Sequence, residues 1–234
     1  MKDLRSPRGI IALVLLAVIA AGLSLTITEI PFGSPDTKVG SYYVENGREE
    51  TGAANIVTSV VTGYRALDTL GEVTVLFIAA MGLSAVLAIE KKKRKREVEE
   101  SSLVLSTGCR ALFPFILLLG AYLFIHGHLT PGGGFQGGAV IGSAFLLVYL
   151  GYPERRISTT GTDVTESLGG LAFVILGLIG FAVGSSYFLS NFLPKGELYS
   201  LFSAGILPLI YIAIGLKVGA EFGGIIDRMM EETR

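Results

Sequence analysis

The side chains of this sequence that could carry chemistry fall into three small groups. Asp68 and Glu72 stand four residues apart, on what the spacing predicts to be one helical face. Two carboxylates so placed repel, which could raise one pKa or hold a proton or cation between them. The same stretch also suits a helix start, because acids in a first turn complement the macrodipole. Both readings stay open from spacing alone. Lys217 and Glu221, again four apart, suit a local ion pair or a step in a charge path near the end of an apolar block. His126 and His128 are the only histidines. Each helical residue advances about 100°, so residues two apart point in nearly opposite directions and could hold one ion only in an extended turn. No Glu or Cys completes a zinc set and no His-Glu-x-x-His occurs, so the sequence offers no metal site. A histidine at a membrane exit could instead relay protons.

Between these groups lies the most distinctive run, Gly127-His-Leu-Thr-Pro-Gly-Gly-Gly-Phe-Gln-Gly-Gly138. Gly132–Gly137 formally matches G-x-G-x-x-G, but it follows an apolar block rather than a strand, so no dinucleotide site is expected. Pro131 blocks helix continuation, while Gly132, Gly133 and Gly134 permit positive φ, predicting a sharp turn with free amides at the next helix start. A structural hairpin and an ion-guiding constriction both fit.

The elements that position these residues are long and apolar. Half of the 234 residues are hydrophobic and only 17% are charged, against about a quarter charged in soluble domains. A bilayer core needs roughly 20 apolar helical residues. Six blocks qualify: Gly9–Thr28, Thr69–Ile89, Arg110–Gly127, Phe135–Tyr152, Ser167–Leu189 and Leu201–Phe222. None alternates like a barrel strand, so an all-α membrane protein with six transmembrane helices is expected. The first block resembles a signal peptide but is long and has no convincing cleavage site, which favours a retained anchor. With the N-terminus inside, 15 of the 19 Lys and Arg residues fall on the cytoplasmic side, including the run Lys91–Arg96, which predicts N-in/C-in topology in the cell membrane. A net charge of −1 argues against a nucleic-acid partner. The lone Cys109 makes neither an internal disulfide nor a cysteine-cluster metal site.

Two parts are expected: residues 1–100, with two spans and a long outer segment, and residues 101–234, with four spans and 22 of the 31 glycines. In the outer segment Ile56, Val57, Val60, Val61 and Tyr64 recur at helical spacing, predicting a short amphipathic helix on the outer surface or against a neighbouring protein of the same complex. Glycine rows Gly134/Gly138/Gly142 and Gly215/Gly219/Gly223, and the pair Gly180/Gly184, predict flat helix faces for close packing, within the chain or against a neighbouring one. Ionisable groups gather near the span ends, so the chain is not expected to carry ions unaided.

The run His126–Gly138 resembles the "GH-x-x-PGGGF-x-GG" turn of the B subunit of multisubunit Mrp (Mnh) sodium/proton antiporters, within a likeness over residues 103–234. Tyr64-Arg-Ala-Leu-Asp-Thr-Leu-Gly-Glu72 resembles the stretch near "FRGFDTLGE" in the C-terminal part of the large A-type component of the same systems. The joining of the two in one chain resembles related archaeal membrane-bound hydrogenase and sulfur-reductase complexes. The resemblance implies a non-catalytic subunit with no cofactor of its own. It would work beside A-, C-, D-, E-, F- and G-like subunits, with or without a hydrogenase-like redox module, in exchange of Na+ and H+ across the bilayer. It carries His128, Pro131, Gly132, Gly133, Gly134, Phe135 and Gly138 onto the B-type turn, and Arg65, Asp68, Thr69, Gly71 and Glu72 onto the A-type stretch.

Overall fold

The computed structural model describes residues 7–29, 38–89, 101–154, 157–184 and 187–232, and every regular element among them is helical. The charged run Lys91–Arg96, with Lys2, Arg5, Arg155, Arg156 and Arg234, lies outside the described residues. The chain divides into two units, Met1–Ser41 and Tyr42–Arg234. In the first, helix α1 (Pro7–Glu29) has an apolar window with no buried residue.

The second unit takes in most of α2 (Lys38–Thr51) and then a short helix α3 (Ile56–Thr58) started by Asn55, whose side chain accepts from the amide of Val57 at 3.0 Å. This helix widens at once into a π-helical run, Ser59–Tyr64. Then follow α4 (Ala66–Ile89), α5 (Leu103–Ile125), α6 (Gly134–Gly151), α7 (Thr159–Ile179, prolonged by a π turn over Gly180–Gly184) and α8 (Leu207–Glu232).

Six helices are long and apolar enough to cross a membrane: Ile10–Glu29, Ala66–Leu87, Leu103–Ile125, Gly134–Gly151, Thr159–Val183 and Leu207–Met230. All six expected spans are present, with shifted ends. The fifth starts eight residues before the expected Ser167, because Ser158 caps it by accepting from the amide of Gly161 at 3.2 Å. The sixth starts at Leu207 rather than Leu201, because Ala204 and Gly205 at positive φ (65° and 59°) hold Leu201–Ser203 outside the helix.

Helix α8 is the hub, packed on α4, α5, α6 and α7. Its face Ile210, Ile214 and Val218 joins Val73 of α4 and Phe173 of α7 in the core. Little hydrophobic drive holds helices together in lipid, so close backbone approach must supply the contacts. The two glycine rows do this inside the chain. A Cβ on Gly134, Gly138 or Gly142 of α6 would sit 2.6–2.7 Å from Ile214, Val218 or Phe222 of α8. In return, Gly215, Gly219 and Gly223 of α8 receive Phe124 of α5 and Ile141 and Phe145 of α6. Gly180 does not join such a row; it lies against the backbone of Ser190 in the π turn.

The expected amphipathic helix over Ile56–Tyr64 forms, but with its faces reversed. The polar Thr58, Ser59 and Thr62 are buried, whereas Val57 is exposed. Hydrogen bonds explain the reversal: Thr58 Oγ1 donates to the carbonyl of Gly127 at 2.7 Å, and Thr62 Oγ1 to that of Thr58 at 2.6 Å. Buried hydroxyls with partners are tolerated, and here they pin the segment to the turn after α5.

Candidate functional site

The glycine-rich turn closes one end of the bundle. The amides of Leu129 and Thr130 both donate to the carbonyl of His126 (2.8 and 2.9 Å), and that of Gly133 donates to Leu123 (3.0 Å). Gly133 has φ 148°, a backbone conformation side chains disfavour, and a Cβ on Gly132 would lie 2.6 Å from the Leu123 carbonyl. Asn55 staples the turn from outside: its Nδ2 donates to Gly127 (2.8 Å) and Thr130 (3.0 Å), and its amide to the carbonyl of His128 (3.0 Å). Tyr211 of α8 donates to Thr58 Oγ1 at 2.9 Å from within the bundle. The sequence alone does not single out Asn55; its position before Ile56 is the available cue for a cap. Pro131 is exposed at the bend, and Gly134 and Gly138 carry the helix that leaves it.

The two histidines are not brought together. His126 stacks on Tyr122 with ring centroids 4.3 Å apart. His128 is fully buried, and neither ring nitrogen has a hydrogen-bond partner among the described residues. Burial holds its imidazole below the usual histidine range, with His126 adding to the lowering. The turn end thus presents a neutral buried imidazole.

Asp68 and Glu72 do not form a joint site in this chain. Asp68 lies in the first turn of α4, and its Oδ2 pairs with Arg65 Nε at 2.5 Å on the exposed surface. Glu72 is exposed on the same helix, and Thr69 Oγ1 donates to the carbonyl of Val61 at 2.5 Å.

Lys217 and Glu221 do come together, and deeper than the sequence places them. Lys217 is the eleventh residue of a 24-residue span, near its middle. Its Nζ donates to Glu221 Oε2 at 2.5 Å, with both side chains buried, and lies 4.0 Å from Glu166 Oε1 of α7. The α7 backbone comes close here because Gly169 has no side chain; a Cβ would lie 2.7 Å from the Ala213 carbonyl and 2.9 Å from the Lys217 amide. The ring of Phe77 on α4 lies 5.6 Å from the ammonium. Further along, Arg228 donates to Ser84 Oγ at 2.6 Å and lies 3.8 Å from Asp163, and Tyr149 donates to Asp227 at 2.6 Å. Glu166 and Asp163 are not among the expected site residues, because the apolar block begins after them; the Ser158 cap is the signal that would have found them. Among the described residues no three His, Cys, Asp or Glu groups form a set that could hold a metal.

Residues 104–223 match the model of a domain related to the MnhB subunit of Na+/H+ antiporter, and the chain belongs to that family. Residues 5–103 match the model of MbhE, the E component of MBH. Among individual proteins, the A/B subunit of a probable K(+)/H(+) antiporter of Rhizobium meliloti is 30% identical in an alignment of 227 positions that covers 83% of this chain and 22% of that protein. A chain of the membrane-bound sulfane sulfur reductase, an archaeal respiratory membrane complex, is 50% identical with a TM-score of 0.77, covering 96% of this chain and 99% of that one. A chain of the Mrp complex from Dietzia sp. DQ12-45-1b gives 26% identity and a TM-score of 0.72, over 95% of this chain and 26% of that one. The resemblance read from the glycine turn is borne out, and the six spans belong to a multi-pass membrane protein.

Proposed function

We propose that the chain is a non-catalytic membrane subunit of a multisubunit cation/proton antiporter module, contributing to Na+/H+ translocation and to assembly. The observation that carries this reading is the charged pair Lys217–Glu221, kept buried near the middle of a span in an MnhB-type bundle. Ionisable groups inside a membrane are costly and default to a role in ion pathways. We take residues 1–100 as the A-tail-like part and residues 101–234 as the B-like part, with both termini cytoplasmic. The Arg228 end then faces the cytoplasm and the glycine turn faces outside. Between the pair and the turn the core is apolar, with Val73, Phe173, Ile210 and Ile214. Neighbouring subunits must therefore complete any path, and exposed Glu72 is a candidate to meet them.

A second reading, a scaffold within a redox-driven ion pump, is favoured by one observation. The sulfane sulfur reductase chain matches nearly end to end, whereas the match covers only 22% of the A/B antiporter subunit and 26% of the Mrp-complex chain. Purification in mild detergent tests both. Co-purification with antiporter-type subunits, and loss of Na+-driven proton movement from vesicles lacking this chain, is the expected result. Na+ uptake by liposomes holding this chain alone would overturn it. Glu72→Gln separates the readings: an assembled complex with unchanged exchange favours the scaffold.

A further inference from the structure

The ion pair does not fill the space around it. A cavity of about 220 Å3 opens between α4, α7 and α8, room for several waters at about 30 Å3 each. Glu166 and Glu221 line it, and Asp163 and Arg228, 3.8 Å apart, stand at its end toward the α8 C-terminus. Glu221 is 2% exposed, and its Oε1 has no hydrogen-bond partner among the described residues. Its Oε2 holds Lys217, whose ammonium is also 4.0 Å from Glu166. One ammonium thus stands between two carboxylates. Asp163 lies against Arg228, Asp227 accepts from Tyr149, and α4 contributes Phe77, Ala80, Met81 and Ser84, none of them ionisable. Within the trio of Lys217, Glu221 and Glu166 one negative charge is left over, and a single bound positive charge would neutralise it.

We propose that this cavity is a proton-loading half-channel, a dead-end water path from the Arg228 end in which Glu166 takes up one proton above a floor formed by Lys217 and Glu221. A hydronium in the cavity transfers H+ to a Glu166 carboxylate oxygen, leaving water and a neutral acid. Lys217 and Glu221 then form a one-to-one pair, and release of the proton reverses the step. A metal cation suits the cavity less well. Hard cations need oxygen ligands on most sides, whereas among the described residues no three His, Cys, Asp or Glu groups stand close enough together to hold one. Beyond the floor, Ile210, Ile214 and Phe173 close the path. The half-channel deepens the antiporter reading and rests on it for the proton's destination.

Two measurements on the whole complex test it. Gly224→Cys places a thiol on the cavity wall where a Cβ meets nothing within 4 Å, and Cys109, the chain's one cysteine, is buried and serves as the blank. In oriented vesicles, a charged membrane-impermeant thiol reagent should label Gly224→Cys from the Arg228 side only. No labelling, or labelling from the opposite side, overturns the half-channel whatever the complex transports. Glu166→Gln should leave assembly intact, lower proton movement about tenfold and abolish the infrared band of a protonated carboxylic acid; Glu166→Asp should restore part of both. Unchanged proton movement in Glu166→Gln, or a raised half-saturation for Na+ with the infrared band retained, overturns the assignment of a proton to Glu166. Labelling can succeed while exchange fails for want of neighbours, so failure of the antiporter reading stays distinguishable from failure of the cavity.

Discussion

At the end holding the glycine turn, the chain meets most of its buried polar groups from within. The Gly127 carbonyl accepts from Asn55 and Thr58, Thr58 from Tyr211, and the His128 carbonyl from the Asn55 amide. Only the His128 ring and Ser203 Oγ among the described atoms there lack partners. At the Arg228 end, Glu221 keeps an unpartnered buried oxygen, a second carboxylate stands near the same ammonium, and a cavity lies beside them. The first arrangement fixes a shape, since satisfied polar networks rigidify a core. The second leaves charge to be met by something that arrives, the pattern of a site rather than a joint.

The largest effect should come from breaking the charged end. Lys217→Met leaves Glu221 buried without its ammonium and should destabilise by about 3–5 kcal/mol, read as a lower thermal midpoint of the complex. Lys217→Met combined with Glu221→Leu should recover that stability without recovering ion exchange. A double variant as unstable as the single one would mean that packing, not charge, holds the pair.

Next in size, Gly138→Leu drives a side chain into Val218 and the Gly215 carbonyl, 2.7 and 3.0 Å from where its Cβ would lie. It should cost about 1–3 kcal/mol and reduce the yield of assembled complex. At the turn end, Asn55→Ala strips partners from the Gly127 and Thr130 carbonyls and should cost about 1–3 kcal/mol. If Asn55→Ala disturbed exchange more than stability, the turn would be more than a scaffold.

The His128 imidazole gives a pH-dependent test. Its folded pKa lies below the unfolded value of about 6.5. Between the two values the unfolded chain binds more protons, so stability is complete above about pH 6.5 and declines as the pH is lowered through that window. His128→Gln should flatten the decline. The smallest effect belongs to Asp68→Asn: the pair with Arg65 has side chains 60% and 53% exposed and should contribute under about 1 kcal/mol.

Much of the fold was legible because its signals are local. An apolar block of spanning length satisfies its backbone only as a helix, so six helices follow from composition and order. Pro131 and the three glycines after it likewise announce the turn. Less legible was which side of Ile56–Tyr64 is buried, because valine spacing points one way and the Gly127 carbonyl pulls Thr58 the other. Glu166 escapes a reading by hydropathy because two polar turns precede the apolar part of α7. Lys217 falls too near a helix end because hydropathy stops the block at Phe222, whereas the span runs on to Met230.

Composition and spacing settle the number of membrane-length helices, the bend between the third and fourth spans and the family to which the turn belongs, since each rests on neighbouring residues and their solvent, whereas α2 went unread. It takes the packed bundle to set the glycine rows against neighbouring helices inside the chain, to bring Asn55 onto the turn, and to join Glu166 to Lys217 and Glu221 beside a cavity. Those relations depend on how rods from distant parts of the chain rotate and slide against each other, which side-chain volumes settle jointly and no local pattern encodes.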